Sequence, residues 1–515
     1  MGVAISPLRP SSTRTSKAYP PSPVSAVHLL DRIARWVRET PEKPAHISGS
    51  RTMTYGELGA RSDALAVWLD DELGDSRAPV AIRGHKEPEM LVGFLGAVKS
   101  GRPYVPIDLS IPEQRAERIV ETSGAGRVLN PAAIEALTHH ATERVPQRRV
   151  ESADPFYILF TSGSTGEPKG VVITLANLEH FVAWMCGEQH FTEGGEVFLN
   201  QAPFSFDLSV MDLYLSLATG GTLVSVTKDD IANLRNLYDV FRHQRISSWV
   251  STPSFAAMCL IEKSFAQPML PALRRFLFCG ETLPNEVAAA LLDRFPDAEV
   301  WNTYGPTEAT VATTSVRVDR ALLAKYSPMP VGAAMPGTRL YIRGEDGSQV
   351  PEGERGEIVI AGPNVSPGYL NRPDLTERAF FLTGGTQAYR TGDWGREREG
   401  LFFFEGRMDN QVKVNGFRIE LGDLEANLRA LEGIADAVVL PVEKAGRIDS
   451  LAAFIVERER TEGSDFERSA KLKNRLAERL PAYMVPRKIL FLDSFPMTPN
   501  GKADRRKLAE QLGPK

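Results

Sequence analysis

The chain reads as an α/β protein, and three features of its pattern say so. From about Leu29 short apolar runs (APVAIRG, GTLVSVT, ISSWVST, RRFLFCGE) alternate with helical stretches such as LLDRIARWVRET and PEMLVGFLGAVKSG, the pattern of strands crossed by helices. Past Pro330 the texture turns to β-rich segments punctuated by Gly and Pro, RLYIRGEDGSQVPEGERGEIVIAGP, in which EDG marks a hairpin. After EGRMDNQVKVNGFRIEL the chain offers helix (LGDLEANLRAL), strand (ADAVVLPV), strand (SLAAFIVE) and helix (FERSAKLKNRLAERL), a compact α+β unit of about a hundred residues. The expected organisation is a disordered tail over 1–25, a large α/β core with a β-rich subdomain over 26–408, and a small mobile α+β domain over 409–515.

Composition narrows the function classes. At 515 residues, with 42% hydrophobic and 24% charged positions, the chain is long enough to bury a sizeable core. Sixty Lys and Arg against 65 Asp and Glu leave a net charge of −5, which offers no long-range attraction to nucleic acid or anionic membrane. Three cysteines, Cys186, Cys259 and Cys279, without CxxC spacing argue against a disulfide framework or a zinc knuckle and fit a reducing cytoplasm. No apolar run approaches the roughly 18 residues of a membrane span. Residues 1 to 30 lack acidic residues and are rich in Ser, Pro and Arg; their prolines spoil an amphipathic helix, so they read as a tail rather than a transit peptide.

The chemistry starts at LFTSGSTGEPKG, Leu159 to Gly170, which follows the apolar run FYILF. Small residues there bring backbone N–H groups close to an anion, and phosphate is the natural guest. The loop is not a Walker A motif, because Pro168 stands where the second glycine is needed. Downstream, NTYGPTEAT turns sharply at Gly305-Pro306 and puts Tyr304 at a strand end, where its ring can stack on a flat base. Glu308 in the same motif is a hard oxygen ligand for Mg2+. Asp393 in YRTGDW suits the vicinal hydroxyls of a ribose, and Arg407 in EGRMDNQVK can serve the same end.

Taken together, TSGSTGEPKG, NTYGPTE, GEIVIAGPNVSPGYL, YRTGD, GRMDNQVKVNGFRIE and NGKADR occur in the order seen in adenylate-forming enzymes, and the chain resembles that superfamily from about Leu29 onward. The stretches FLNQAPFSFDLSVMDLY, STPSFAAMC, FLFCGETLPNEVA, NTYGPTEATVA and PMTPNGKADRRKL look most like its stand-alone D-alanine:carrier-protein ligases. That branch does not ordinarily carry an N-terminal tail, and Trp301 is bulkier than expected at its position. The resemblance implies the adenylate-forming fold and a two-step reaction. A carboxylate and ATP give an acyl-adenylate and pyrophosphate, then a phosphopantetheine thiol of a discrete carrier protein takes the acyl group.

The resemblance also implies roles, residue by residue. ATP is expected at Thr161, Ser162, Gly163, Ser164, Thr165, Gly166, Lys169, Asn302, Thr303, Tyr304, Gly305, Pro306, Thr307, Asp393, Phe404 and Arg407, with Mg2+ on Glu308 and a hinge at Asp409. Lys502, in TPNGKADR, takes the place of the catalytic lysine that bridges substrate carboxylate and α-phosphate. Asp207 is a single carboxylate among aromatic and aliphatic neighbours. It suits a substrate ammonium, or else a helix N-cap. Leu277 and Cys279 share one face of a strand by the period of two and are expected to wall the amino-acid pocket with Leu208, Met211, Thr303 and Val311. Cys279 has no histidine in its motif and reads as a wall rather than a nucleophile. From Lys471 onward eleven Lys and Arg stand against four Asp and Glu, a basic surface suited to an acidic carrier. The expected substrate is a small neutral amino acid, alanine foremost. Teichoic-acid D-alanylation and a natural-product (antibiotic biosynthesis) line that loads L-alanine or a related residue both remain open, and acyl-CoA ligation is disfavoured by Asp207.

Overall fold

The structure, a computed structural model, describes residues 28–512 apart from 141, 164–166, 410, 415, 445–446, 460 and 498–502. Two large sheets carry the first four hundred residues. One is nine-stranded; its central strands Glu299–Tyr304, Arg275–Phe278, Ser248–Ser251, Val197–Asn200, Thr222–Ser225 and Pro44–Ser48 run parallel in that spatial order. The other is six-stranded and holds Tyr104–Asp108 beside Pro155–Thr161 and Val80–Gly84. Helices cross between the strands, as the alternating pattern predicts. Leu29–Glu39, Glu89–Lys99 and Leu208–Thr219 bury their apolar faces in the larger core.

Because the parallel strands share a direction, the segments that leave their carboxyl ends converge on one edge of the sheet. These are 201–207 after Asn200, 252–254 after Ser251, 279–282 after Phe278 and 305–308 after Tyr304. A crevice at that edge is where open α/β sheets bind ligands.

The β-rich region expected past Pro330 is a five-stranded antiparallel sheet of Arg339–Arg343, Gly356–Ala361, Thr386–Arg398, Phe380–Thr383 and Leu401–Arg407. Gly347 of the EDG turn takes φ +88°, the left-handed backbone that such a turn asks of its glycine. Residues from Gln411 onward form a two-stranded hairpin, Gln411–Val414 with Phe417–Glu420, and a three-stranded sheet with its own apolar cores. Asp409 lies in the short link between Leu401–Arg407 and that hairpin.

The hairpin is folded against the edge of the large sheets. Ser162 Oγ donates to the Arg418 carbonyl at 3.0 Å and accepts from the Glu420 N–H at 3.0 Å. Arg115 reaches Asp423 at 3.1 Å, both buried. Phe417 stacks on Tyr483 with centroids 3.8 Å apart and lies 5.5 Å from Phe206. No helix among the described residues is long and apolar enough to cross a membrane. The three cysteines are buried and unpaired. The expected tail over 1–25 lies outside the described residues.

Candidate active site

A cavity of about 330 Å3 opens at the converging edge, between the large core and the 411–420 hairpin. Tyr304 and Phe404 contribute rings 6.2 Å apart, and Gly280, Thr303, Arg407 and Lys413 complete its wall. Tyr304 donates its O–H to Asp393 at 2.5 Å. Arg407 donates to the other Asp393 oxygen at 2.6 Å and grips Asp409 through two nitrogens. Those carboxylates hold the guanidinium proton, driving Arg407 further above its ordinary range despite burial. The pairing joins the β-rich sheet to the link that carries Asp409.

The phosphate-loop residues divide. Thr161 presents a buried hydroxyl without a hydrogen-bond partner, a donor still available to a ligand. Gly163 must be glycine, because a Cβ there would lie 2.2 Å from the Glu167 carbonyl oxygen. Ser162 is engaged by the hairpin, as above. Lys169 is buried, 3.2 Å from the Tyr369 hydroxyl and 3.6 Å from Glu308, and burial lowers its pKa. Ser164, Thr165 and Gly166 lie outside the described residues. In the 302–308 segment, Asn302 gives its amide to Pro330 and Thr303 its hydroxyl to Phe278. These two side chains build the strand end. Gly305 is compelled by contact as well, since a Cβ would meet Ala312 Cα at 2.6 Å, and it leads through Pro306 into the short 3-10 turn Thr307–Ala309.

Two carboxylates flank that turn. Glu308 is fully buried, accepts from the Tyr369 hydroxyl at 2.7 Å and pairs with Arg418 at 2.8 Å. Arg418 and Lys169 hold its carboxyl well below the usual range, against the opposing effect of burial. Arg418, 110 residues downstream, is a site residue that the expectations left out although GRMDNQVKVNGFRIE contains it. Its signal lay in the GFRIE stretch. Glu308 fits a hard cation only once Arg418 has left, because each oxygen is engaged in the arrangement seen here. Among the described residues no cluster of three or more His, Cys, Asp or Glu is placed to hold a metal.

Asp207 occupies the N-cap position of helix Leu208–Thr219, yet its side chain makes no capping bond. It accepts the Thr307 hydroxyl at 2.6 Å instead, and no cation lies within salt-bridge distance among the described residues. Burial raises its pKa, and only the Thr307 bond and the more distant Lys413 and Arg418 oppose that. A second, narrower cavity of about 70 Å3 leads to Asp207 from Ser110, Pro481 and Tyr483, with Thr307 and Phe206 along it.

Of the residues expected to wall the amino-acid pocket only Thr303 lines the larger cavity; Leu208, Met211, Leu277, Cys279 and Val311 line neither and are packed in the core, where the period of two still sorts the strand. Leu277 and Cys279 join Leu208, Met211 and Val311 in the large core, whereas Phe276 and Phe278 turn to the second core on the opposite face. The Cys279 thiol points to the Val311 carbonyl at 3.5 Å, and burial raises its pKa, so it does not offer a thiolate. Thr310 and Val311 take φ +58° and +68°. A β-branched residue there is strained, and the surrounding core compels it. Trp301, the residue flagged as bulky, donates to Glu299 at 3.0 Å and lines neither cavity. Lys502 lies outside the described residues.

Family comparison decides what this crevice belongs to. The model of the AMP-binding enzyme family matches residues 33–370, and that of the AMP-binding enzyme C-terminal domain matches 423–502. The chain belongs to the AMP-binding enzymes. This AMP-binding enzyme is 47% identical over 501 residues to a D-alanine--D-alanyl carrier protein ligase of Bacillus thuringiensis, covering 94% of this chain and 99% of the relative. A ligase of the same name from Bacillus anthracis matches at 47% over 500 residues. Among solved structures, the Vibrio cholerae adenylation domain AlmE superposes with a TM-score of 0.81 at 22% identity, covering 97% of this chain and 99% of that one. A fused adenylation-PCP di-domain from Klebsiella oxytoca gives 0.77 at 24% identity, over 90% and 93% of the two chains. These two likenesses establish the adenylate-forming fold.

Proposed function

We propose that this enzyme uses ATP to adenylate D-alanine and passes the aminoacyl group to the phosphopantetheine thiol of a separate carrier protein, in the cytoplasm. The observation that carries the reading is Asp207. It is a carboxylate at the end of a narrow cavity, bonded to one neutral hydroxyl and left without a cation. A half-buried charge in that state calls for a partner, and the ammonium of an amino acid supplies one. The 47% identity to D-alanine--D-alanyl carrier protein ligases supports the choice of substrate.

The residues then take successive parts. Tyr304 and Phe404 receive the adenine beside Asp393 and Arg407, which take the ribose hydroxyls, and Thr161 and Lys169 meet the phosphates. Asp207 fixes the D-alanine ammonium, so that its carboxylate attacks the α-phosphorus and pyrophosphate leaves. Lys502, carried by the small domain, neutralises the charge that develops there. Mg2+, bound at Glu308 when Arg418 is absent, would add a second positive charge at the phosphates. Rotation about Asp409 then exchanges Lys502 for the 411–420 hairpin, a lid motion. In that arrangement Arg418 covers Glu308, and the thiol enters along the cavity from Ser110 and Tyr483. It attacks the acyl carbon, and AMP leaves.

The test is amino-acid-dependent pyrophosphate exchange across D- and L-amino acids, followed by loading of a purified carrier protein bearing its phosphopantetheine. D-alanine is expected to give the highest kcat/KM in exchange and to appear on the carrier. Exchange that prefers L-alanine, or an acyl group delivered faster to coenzyme A than to the carrier, would overturn the reading.

A further inference from the structure

Lys86 is a buried ammonium for which the reaction above has no use. It lies just past strand Val80–Gly84 and is 2% exposed. Its Nζ donates to the Asn200 side-chain oxygen and to the Ala202 carbonyl, and it stands 4.5 Å from the centre of the Phe204 ring. All three partners belong to the segment running from strand Val197–Asn200 to Asp207. The far side of that segment is tied to the same cluster. Asn200 Nδ2 donates to Asp212 Oδ1 at 2.9 Å, on the helix that begins just after Asp207. Between the two ties, the Phe206 N–H closes a turn on the Pro203 carbonyl at 2.9 Å. The chain that presents Asp207 is therefore held at its entrance by Lys86 on Asn200 and Ala202 and at its exit by Asn200 on Asp212, with a turn of its own between.

We propose that Lys86 is a positioning residue for the amino-acid pocket: by pinning the segment from Asn200 to Asp212 it sets where Asp207 meets the substrate ammonium. This rests on the assignment of Asp207 made above. Loops hold catalytic geometry only when their supports are rigid, and a support bonded to a backbone carbonyl, a side-chain amide and a ring face has little freedom.

The cluster also makes the support sensitive to pH. Burial brings Lys86 down to about 7, although Asp212 and Asp108 pull the other way. The groups around it come from three elements and the turn next to Lys86 itself. Asp212 on Leu208–Thr219 has one oxygen without a hydrogen-bond partner, and burial pushes its carboxyl well up. Asp108, at the end of Tyr104–Asp108, is held ionised by His85 and Ser110 and pairs with Lys228. His46 on Pro44–Ser48 bonds Ser225 at 2.8 Å, and burial with nearby Lys86 and Arg51 lowers it to about 3, so it stays neutral. His85 itself, next to Lys86 in sequence, is turned to Asp108 at 2.5 Å. As pH rises through about 7, Lys86 loses the charge that strengthens its bond to Ala202. D-alanine binding weakens in step.

The experiment is pyrophosphate exchange with D-alanine and ATP on either side of pH 7, for the parent enzyme, Lys86→Met and Lys86→Arg. Lys86→Met is expected to raise the KM for D-alanine about 10-fold, the loss of a charged hydrogen bond, with the KM for ATP unchanged. The parent's KM for D-alanine is expected to climb as pH passes 7, and Lys86→Arg, permanently charged, to flatten that climb. An unchanged KM for D-alanine in Lys86→Met, an equal rise in both KM values, or a Lys86→Arg profile that follows the parent would overturn the proposal. Where Lys86→Met does not fold, the Lys86→Arg profile decides alone. A parent that exchanges only with another amino acid overturns the substrate reading instead, and the same comparison is then run with that amino acid.

Discussion

Asp207 and Glu308 are carboxylates on neighbouring segments of one crevice, and the fold treats them in opposite ways. Glu308 is neutralised from two sides by Arg418 and Lys169, which hold it ionised. Asp207 receives one hydroxyl and no direct cation, and its carboxyl rises. Glu308 is fully buried and Asp207 half-buried, and the two differ further in what completes each site. Glu308 is completed by the protein itself, through a residue of the small domain, and so reports where that domain stands. Asp207 has no protein cation within salt-bridge distance among the described residues, and in the function proposed above the substrate ammonium completes it. A half-buried carboxylate that lacks a cationic protein partner is thus a better pointer to a substrate than one whose pairing is finished.

The sharpest way to break the comparison is Asp207→Asn. Removing one partner of a buried ion pair costs about 3 to 5 kcal/mol, so kcat/KM for D-alanine should fall by roughly two to four orders of magnitude in pyrophosphate exchange. The free protein should melt no lower than the parent, and above the raised Asp207 pKa somewhat higher, since the variant removes a charge that the empty site destabilises.

Lys502→Ala removes the other arrangement of the small domain. Pyrophosphate exchange should drop about 10²- to 10³-fold, as when one transition-state donor is deleted. Single-turnover transfer from a supplied D-alanyl-adenylate to the carrier should persist. Equal losses in both half-reactions would remove the division of labour between Lys502 and Arg418.

Glu308→Gln leaves Arg418 and Lys169 facing a neutral amide in a buried site. It should lower stability by about 1 to 3 kcal/mol, read by denaturant unfolding. A variant as stable as the parent would show that the Arg418 pairing does not hold the hairpin in place.

The pH dependence separates the two carboxylates directly. The raised carboxyl of Asp207 ionises later on an upward titration than the ordinary 3.8. Since D-alanine needs the ionised form, the acid limb of kcat/KM should lie above that value. By linkage, the empty protein loses stability from Asp207 as pH rises from 3.8 through the raised pKa, and bound D-alanine restores it. Thermal melts with and without D-alanine across that window test the sign. The smallest effect belongs to Tyr304→Phe. Losing the bond to Asp393 should raise the KM for ATP by about 1 kcal/mol, near fivefold, and leave D-alanine untouched.

What the sequence carried and what it did not divides along the same line. The strands, the helices crossing them and the shared face of Leu277 and Cys279 were legible, because burial imposes periods of two and 3.6 on any chain. Asp207 was legible as an ionisable residue in an apolar setting, with two readings, a substrate ammonium or a helix cap; the structure shows no capping bond and a bond from Thr307 instead. The partners were not legible. Thr307 lies 100 residues from Asp207, Arg418 lies 110 from Glu308, and nothing local encodes either contact. Nor was the left-handed backbone at Thr310 and Val311, since β-branched residues ordinarily avoid it and only the surrounding fold compels it.

The central claim is that Asp207 exists to receive an ammonium, and the most direct measurement compares D-alanine with propanoate, its analogue without the amino group. Both are offered in pyrophosphate exchange to the parent and to Asp207→Leu. The expected result is a parent that uses D-alanine and hardly uses propanoate, and a variant in which the preference narrows or reverses because the apolar side chain no longer demands a charge. A parent that adenylates propanoate as well as D-alanine, or an Asp207→Leu variant with an unchanged ratio, would contradict it.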